Sequence, residues 1–338
     1  MSEHISITES NNSTSTEPTK PSSDVATVGL DRPYTTAEAF CRNIGLVSKE
    51  EQAKIERTCV AIAGCGGAGG GYASALARTG VSNFKFADFD HYELVNFNRQ
   101  YGATVNSIGR NKAIVTSEIV LAINPLAKTK AFTNGIDESN IDDFLDGVNV
   151  VMDALDLFAP RTRRLLYKHA HKKGIAVFTA GPIGYSCAWQ IYLPTGPTFD
   201  DFCCMNDSMS DEDLIVRHLI TAAPAGTHLK YMKAKNVDLS GHAAPSLGPV
   251  CTMLHGILVI EVINFVTGKK PIKGVPHYFQ FDMMTNQFKT GYLRWGNRNP
   301  IQKLKIWYLN RLLEKGKKER ALETKQPKDT EKETELKE

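Results

Sequence analysis

Cys59-Val60-Ala61-Ile62-Ala63 runs directly into Gly64-Cys65-Gly66-Gly67-Ala68-Gly69 and then into the small-residue segment Tyr72 to Arg78. An apolar run of strand length, a glycine turn and a helix opening, in that order, present backbone N–H groups and the positive end of a helix to a phosphate chain. About twenty residues on, a second strand, Phe84-Lys85-Phe86-Ala87, ends in Asp88-Phe89-Asp90, the spacing at which a carboxylate accepts a ribose hydroxyl. The two stretches read as a nucleotide-binding unit, with Gly64, Gly66, Gly67 and Gly69 at the phosphates and Asp88 and Asp90 at the ribose.

A glycine turn of this kind serves NAD or FAD as readily as ATP. The residues beyond Asp90 favour a triphosphate. They are Glu93-Leu94-Val95-Asn96-Phe97-Asn98-Arg99-Gln100 and then Ser107-Ile108-Gly109-Arg110-Asn111-Lys112, where another helix opens. A guanidinium and an ammonium just past a ribose-binding carboxylate suit more negative charge than a bridging pyrophosphate carries. A further apolar strand, Val148 to Met152, ends in Asp153-Ala154-Leu155-Asp156. In open α/β sheets ligands sit at the carboxyl ends of strands, so Asp88 and Asp156 can face one crevice. A carboxylate beside a triphosphate repels it unless Mg²⁺ lies between them, which makes Asp156 the metal candidate.

G-C-G-G-A-G, D-F-D, N-F-N-R-Q, G-R-N-K and D-A-L-D succeed one another here in the order and near-spacing of the ThiF/MoeB/HesA family, the adenylating fold shared with ubiquitin-activating enzymes, which this chain resembles. The resemblance runs from about Cys41 to Pro194 and resumes weakly at Gly248 to Lys270. It implies an enzyme that uses ATP and Mg²⁺ to adenylate a carboxylate, often the terminal glycine of a ubiquitin-like sulfur carrier or peptide, with release of pyrophosphate. By position, Asp88 resembles the ribose ligand, Asn96 and Arg99 the phosphate contacts, Lys112 the lysine at the α-phosphate and Asp156 the Mg²⁺ ligand. Arg42, in Phe40-Cys41-Arg42-Asn43-Ile44, resembles an arginine that reaches the ATP site of the other subunit of a homodimer; an exposed arginine at a helix entrance is the alternative.

The chain also departs from the family pattern. Its seven cysteines contain no pair of C-x-x-C motifs, so no zinc is expected. Leu157 stands where an asparagine commonly comes after the metal-binding aspartate. A conjugating enzyme would need a cysteine to take the acyl group as a thioester; Cys203 and Cys204 are the candidates, although Asp200, Asp201 and Asp207 nearby would raise a thiol pKa.

With 338 residues, a net charge of +3 and 23% charged residues, the composition is that of an ordinary globular enzyme with no bulk attraction to DNA. Scattered cysteines and the lack of a basic, then apolar, N-terminal segment point to the cytoplasm. Val250 to Val266, interrupted by His255 and Glu261 and stopped by Gly268, reads as a buried helix rather than a membrane span. His169 and His171, two apart on a helix, face different ways and cannot form an i, i+4 metal pair.

The expected fold is therefore α/β: a Rossmann-like, doubly wound, mostly parallel sheet with helices on both faces, extended by a C-terminal β-hairpin and helix. The expected divisions are a disordered tail at 1–33, an adenylation domain at 34–272 with a substrate-facing insertion at 207–245, packed C-terminal strands and helix at 273–314, and a charged, disordered tail at 315–338. The hairpin spans Pro276 to Gln287, turning at Met284-Thr285-Asn286, with Tyr292 to Trp295 as another strand. An amphipathic helix comes next, from Ile301 to Leu313, with Leu304, Tyr308 and Leu312 on one face.

Three readings compete with adenylation of a protein or peptide terminus. Activation of a tRNA base or small carboxylate uses the same chemistry. An NAD-dependent oxidoreductase leaves Arg99, Lys112 and Arg42 without a role. A non-catalytic binding module would have no need of the charged constellation.

Overall fold

A computed structural model describes residues 33–232 and 245–323, with side chains to 316. Eight strands form one sheet: β1 (Cys59–Ala63), β2 (Asn83–Ala87), β3 (Lys128–Phe132), β4 (Val150–Asp153), β5 (Ala176–Ile183), β6 (Ser186–Tyr192), β7 (His277–Asp282) and β8 (Gln287–Tyr292). Their order is β3-β2-β1-β4-β5-β6-β7-β8. The pairings from β3 to β5 are parallel and those from β5 to β8 antiparallel. The chain builds outward from β1 in one direction, returns, and builds outward from β4 in the other. That reversal opens a crevice at the carboxyl ends of β1 and β4.

Both faces of the sheet are covered because the central strands are apolar on both sides. Val60 and Ile62 of β1, with Met152 and Phe178, pack under α3 (Gly69–Arg78), α4 (Lys112–Ile123) and α9 (Gly248–Thr267). Ala61, Ala63, Val151 and Val177 face the opposite layer, made by α5 (Ile141–Leu145), α6 (Pro160–Lys172), α7 (Phe199–Cys203) and α8 (Asp211–Ala222). Two shorter helices, α1 (Thr36–Ala39) and α2 (Lys49–Arg57), precede the sheet. Ser48 and Glu51 start α2 with a reciprocal capping box, which satisfies two N-terminal N–H groups. The sheet changes direction at Gly184-Tyr185, where Gly184 takes φ +62 and lets β6 fold straight back on β5.

The α/β architecture agrees with the sequence expectation, with four differences. Lys128–Phe132, which the sequence reading does not mark as a strand, joins the sheet at its edge and makes the strand before Asp156 the fourth in the chain. Residues 293–295 leave the sheet; Trp295 adopts φ +68 at the entrance to a short 3-10 turn. The last helix, α10 (Pro300–Glu323), continues through 315–323, where a tail is expected from sequence, and it buries Gln302 and Ile306 while Leu304 and Tyr308 lie exposed. Within 207–245, α8 is part of the packed body: Leu214, Ile215 and Val216 are buried and Gln190 of β6 donates to Thr221 O. The tails at 1–32 and 324–338, and segment 233–244, lie outside the described residues. Helix α9 is apolar and long enough to cross a membrane by composition alone, but Leu254, Leu258 and Val262 are core residues against the sheet, and Gly268 caps it at φ +72.

Candidate nucleotide site

The glycine turn occupies the reversal point of the sheet. Gly64 takes φ +90, and a Cβ on it would lie 2.2 Å from the carbonyl oxygen of Ala154, just after β4. Gly69 opens α3 so close to the turn that its Cβ would fall 1.8 Å from Gly64 O. These two glycines are required by the packing of the protein on itself. Gly66 and Gly67 are not: their Cβ positions would meet ordinary contacts at 3.6 and 3.5 Å. Their smallness clears the outer surface of the turn, where a ligand backbone would approach. Among the described residues, the N–H groups of Gly66, Gly67 and Ala68 have no protein acceptor, as expected for the first turn of a helix awaiting an anion.

Asp88, at the end of β2, fixes the turn from the side. One carboxylate oxygen accepts from Cys65 N at 2.6 Å and the other from Asp90 N at 2.8 Å. Burial raises its pKa above the ordinary carboxylate value and outweighs these two bonds, which pull it down. Asn111 ties the same region to α4. Its Oδ1 caps the helix by accepting from Ala113 N and Ile114 N, while its Nδ2 donates to the carbonyls of Asp88, Asp90 and Thr133. The G-R-N-K motif contains Asn111, but its bridging role depends on β2 and β3 lying side by side and has no signal in the sequence. Lys112 comes next, buried, with Nζ 3.1 Å from Asp90 Oδ2. Asp90, given a ribose role from sequence, is in this conformation the partner of Lys112.

Arg99 is brought to the turn as well. Its Cγ lies 3.6 Å from where Gly67 would carry a Cβ, and its guanidinium donates to Val95 O and Asn98 Oδ1. Asn96 instead points inward. It is buried, and its Oδ1 accepts from Glu93 N at 2.9 Å, which closes a short 3-10 turn. In this conformation the side-chain oxygen of Asn96 serves as a structural cap. Gln100, buried over Gly66, leaves its Oε1 without a hydrogen-bond partner among the described residues.

On the β4 side, Asp156 is exposed and, among the described residues, its carboxylate accepts from Phe158 N at 2.9 Å. The preceding turn is shaped from beneath by a buried ion pair. Asp153 accepts from Arg163 Nε (2.9 Å), Tyr167 OH (2.9 Å) and Thr179 Oγ1 (3.2 Å). Burial, the largest single effect, would raise the Asp153 pKa; the charge and hydrogen bond of Arg163, with the Tyr167 hydrogen bond, together turn the net shift downward. Arg163 Nη2 also donates to Leu155 O, so the pair holds the loop that presents Asp156. One exposed carboxylate suits Mg²⁺, which takes one or two protein carboxylates and fills its remaining positions with water and phosphate.

Cys203, Cys204 and Arg42 have no side-chain hydrogen bond to the glycine turn among the described residues. Cys203 packs against Tyr192, with Sγ 3.9 Å from Tyr192 OH, and Tyr192 pairs with Val177 near the start of β5. Val177 lies two residues before Thr179, which pairs with Asp153 at the end of β4. Burial also pushes the Cys203 thiol up to about 12. The adjoining Cys204 closes α7 in a left-handed conformation, with its thiol directed to Asp201 O. A thioester on Cys203 would need this packing to open. Arg42 is exposed beside Asn43, whose Nδ2 donates to Thr79 O at the far end of α3. The ten residues of α3 separate that point from the turn by about 15 Å.

The ThiF family profile matches residues 40–301. The tRNA threonylcarbamoyladenosine dehydratase of Haemophilus influenzae is 31% identical over 140 residues, covering 41% of this chain and 53% of that protein. The sulfur carrier protein adenylyltransferase of Thermus thermophilus is 30% identical over 115 residues, 34% of this chain and 42% of that one. The chain thus spans about half the length of the curated relatives it matches. Among solved structures, PaaA superposes with a TM-score of 0.58 at 20% identity over 83% of this chain and 77% of its own. Escherichia coli MccB with ATP gives 0.54 at 16% identity over 73% and 66%. With the glycine turn, Asp88, Arg99, Lys112 and Asp156 gathered on the matching fold, the chain belongs to the ThiF family.

Proposed function

We propose that this chain is an ATP-dependent adenylyltransferase that activates the carboxylate of a ubiquitin-like sulfur carrier or peptide terminus as an acyl-adenylate. The observation that carries the reading is the convergence of donors on one crevice: unpaired turn amides, the Arg99 stem against Gly67, and Lys112 entering from inside the fold. These groups fit a triphosphate and exceed what a nicotinamide dinucleotide requires. In the reaction an acceptor carboxylate oxygen bonds to the α-phosphorus as the bond to the pyrophosphate oxygen breaks, and the electron pair leaves with pyrophosphate. A carboxylate is already nucleophilic at neutral pH, so no general base is needed. The protein contributes alignment and charge: turn amides for the phosphate oxygens, Lys112 and Arg99 for charge that develops on the leaving group, and Asp88 for the ribose. Mg²⁺, held by Asp156, would supply the positive charge that lets a carboxylate and a triphosphate share the crevice.

The working protein is proposed to be a cytoplasmic homodimer in which Arg42 crosses to the neighbour's site. Its place about one α3 length from its own turn supports this. Activation of a modified tRNA base is the second reading, favoured by the identity to the Haemophilus dehydratase.

Calorimetry with Mg·ATP and NAD, then ATP–pyrophosphate exchange with a Gly-Gly-ending carrier and with tRNA as alternative acceptors, tests both. Binding of ATP and carrier-dependent exchange are expected. Micromolar NAD binding with no ATP heat would sink the adenylation reading, and ATP turnover driven by tRNA alone would favour the second.

A further inference from the structure

The carbonyl of Gly67, in the middle of the turn, is held by a side chain almost two hundred residues away. His255 of α9 places Nε2 2.8 Å from Gly67 O. A carbonyl only accepts, so Nε2 carries the proton. The imidazole is 8% exposed, and burial lowers its pKa below the ordinary 6.5 although the bond to Gly67 works in the other direction, so the ring is neutral at physiological pH.

The space for this ring is provided for. A Cβ on Gly71 would fall 1.9 Å from His255 Cε1, so a glycine at 71 is what admits the imidazole beneath α3. Tyr72 meets the ring edge-on, with centroids 5.6 Å apart and planes at 79°. One helical turn earlier, Cys251 Sγ lies 3.5 Å from where Gly67 would carry a Cβ. The start of α9 is joined to the phosphate side too: Asn98 Nδ2 donates to Ser246 O at 3.0 Å, and Gly248 packs on Asn98 O.

Gly67 C=O and Ala68 N–H belong to one trans peptide, and in a trans peptide the two bonds point to opposite sides. Holding the carbonyl down toward α9 therefore aims Ala68 N–H outward, where no protein acceptor meets it among the described residues. Gly67 has no side chain to resist rotation of that peptide, and a flip would turn a carbonyl oxygen toward the ligand instead of a donor. We propose that His255 is a positioning residue that locks the Gly67–Ala68 peptide with its N–H toward the nucleotide phosphates. The proposal rests on the reading of this turn as the ATP site.

The test compares wild-type, His255→Phe and His255→Gln proteins by calorimetry with Mg·ATP and with adenosine. His255→Phe keeps ring volume and removes the donor; it is expected to weaken ATP roughly tenfold while adenosine binding stays level. His255→Gln restores an amide donor and should recover ATP affinity to within about threefold. A general packing defect would weaken both ligands and would not be rescued by glutamine. In case His255→Phe does not fold, ¹⁵N-histidine spectra of the wild-type protein provide the second readout: the Nε2-protonated tautomer with a resonance that moves on ATP addition. Wild-type protein that binds ATP, with an equally competent His255→Phe or an unmoved His255 resonance, overturns the positioning role. Wild-type protein that binds no ATP overturns the nucleotide reading and this proposal with it.

Discussion

Lys112 and Asp90 form an ion pair of 3.1 Å whose two ends differ in surroundings: the lysine side chain is 7% exposed and the aspartate 52%. The cation is delivered from inside the fold to a carboxylate at the rim, and solvent or an incoming anion can take over part of the aspartate's role. Lys112→Ala should therefore cost no more than about 1 kcal/mol of stability, because Asp90 remains solvated. It should lower ATP–pyrophosphate exchange by about two to three orders of magnitude if Lys112 meets charge that develops at the α-phosphate. Urea melts and exchange rates on the same preparation separate the two effects, and exchange near the wild-type rate would remove Lys112 from the chemistry.

Asp156→Ala should abolish acceptor-dependent exchange and leave the fold intact. The side chain is exposed and, among the described residues, its hydrogen bond is the one from Phe158 N, so its removal leaves the core packing in place. Exchange that survives with an unchanged Mg²⁺ requirement would show that another group holds the metal.

Arg42→Ala and Asp156→Ala proteins should each be inactive alone. If Arg42 serves the neighbour's site, mixing them with subunit exchange should restore up to about a quarter of wild-type activity per total site, since random pairing makes half the dimers mixed and each mixed dimer keeps one intact site. Proven exchange without recovery would place Arg42 outside the partner's site.

Stability should fall as the pH drops from 7.5 toward 5. Three histidines have folded pKa values lowered mainly by burial: His218 to about 3, where the Arg163 charge adds to the effect, and His228 and His255 by smaller shifts. The unfolded chain takes up protons on these rings below the ordinary 6.5 while the folded protein does not. Proton uptake is thus greater in the unfolded state, so stability is lost between 6.5 and the folded pKa. His218 alone accounts for about 2 kcal/mol at pH 5. Urea denaturation at the two pH values checks this, with His218→Gln expected to flatten the profile; equal stability at pH 7.5 and 5 would contradict it.

Sequence alone determined the features made by neighbouring residues. The β1–glycine turn–α3 unit, Asp88 at the end of β2, the strand before Asp156 and the Gly268 stop of α9 are each written in a short contiguous stretch, because a phosphate turn is built from consecutive backbone amides and a helix from its own periodicity. β3 is hidden in the sequence because, at the sheet edge, its lysines alternate outward and mask a short apolar signal. Strand order decided the rest. It buried Cys203 against Tyr192, set Arg42 at the far end of α3, and brought His255 under Gly67 across 188 residues of chain. No local pattern encodes such pairs, since the crossovers that set strand order place residues that have no neighbours in common until the sheet has formed.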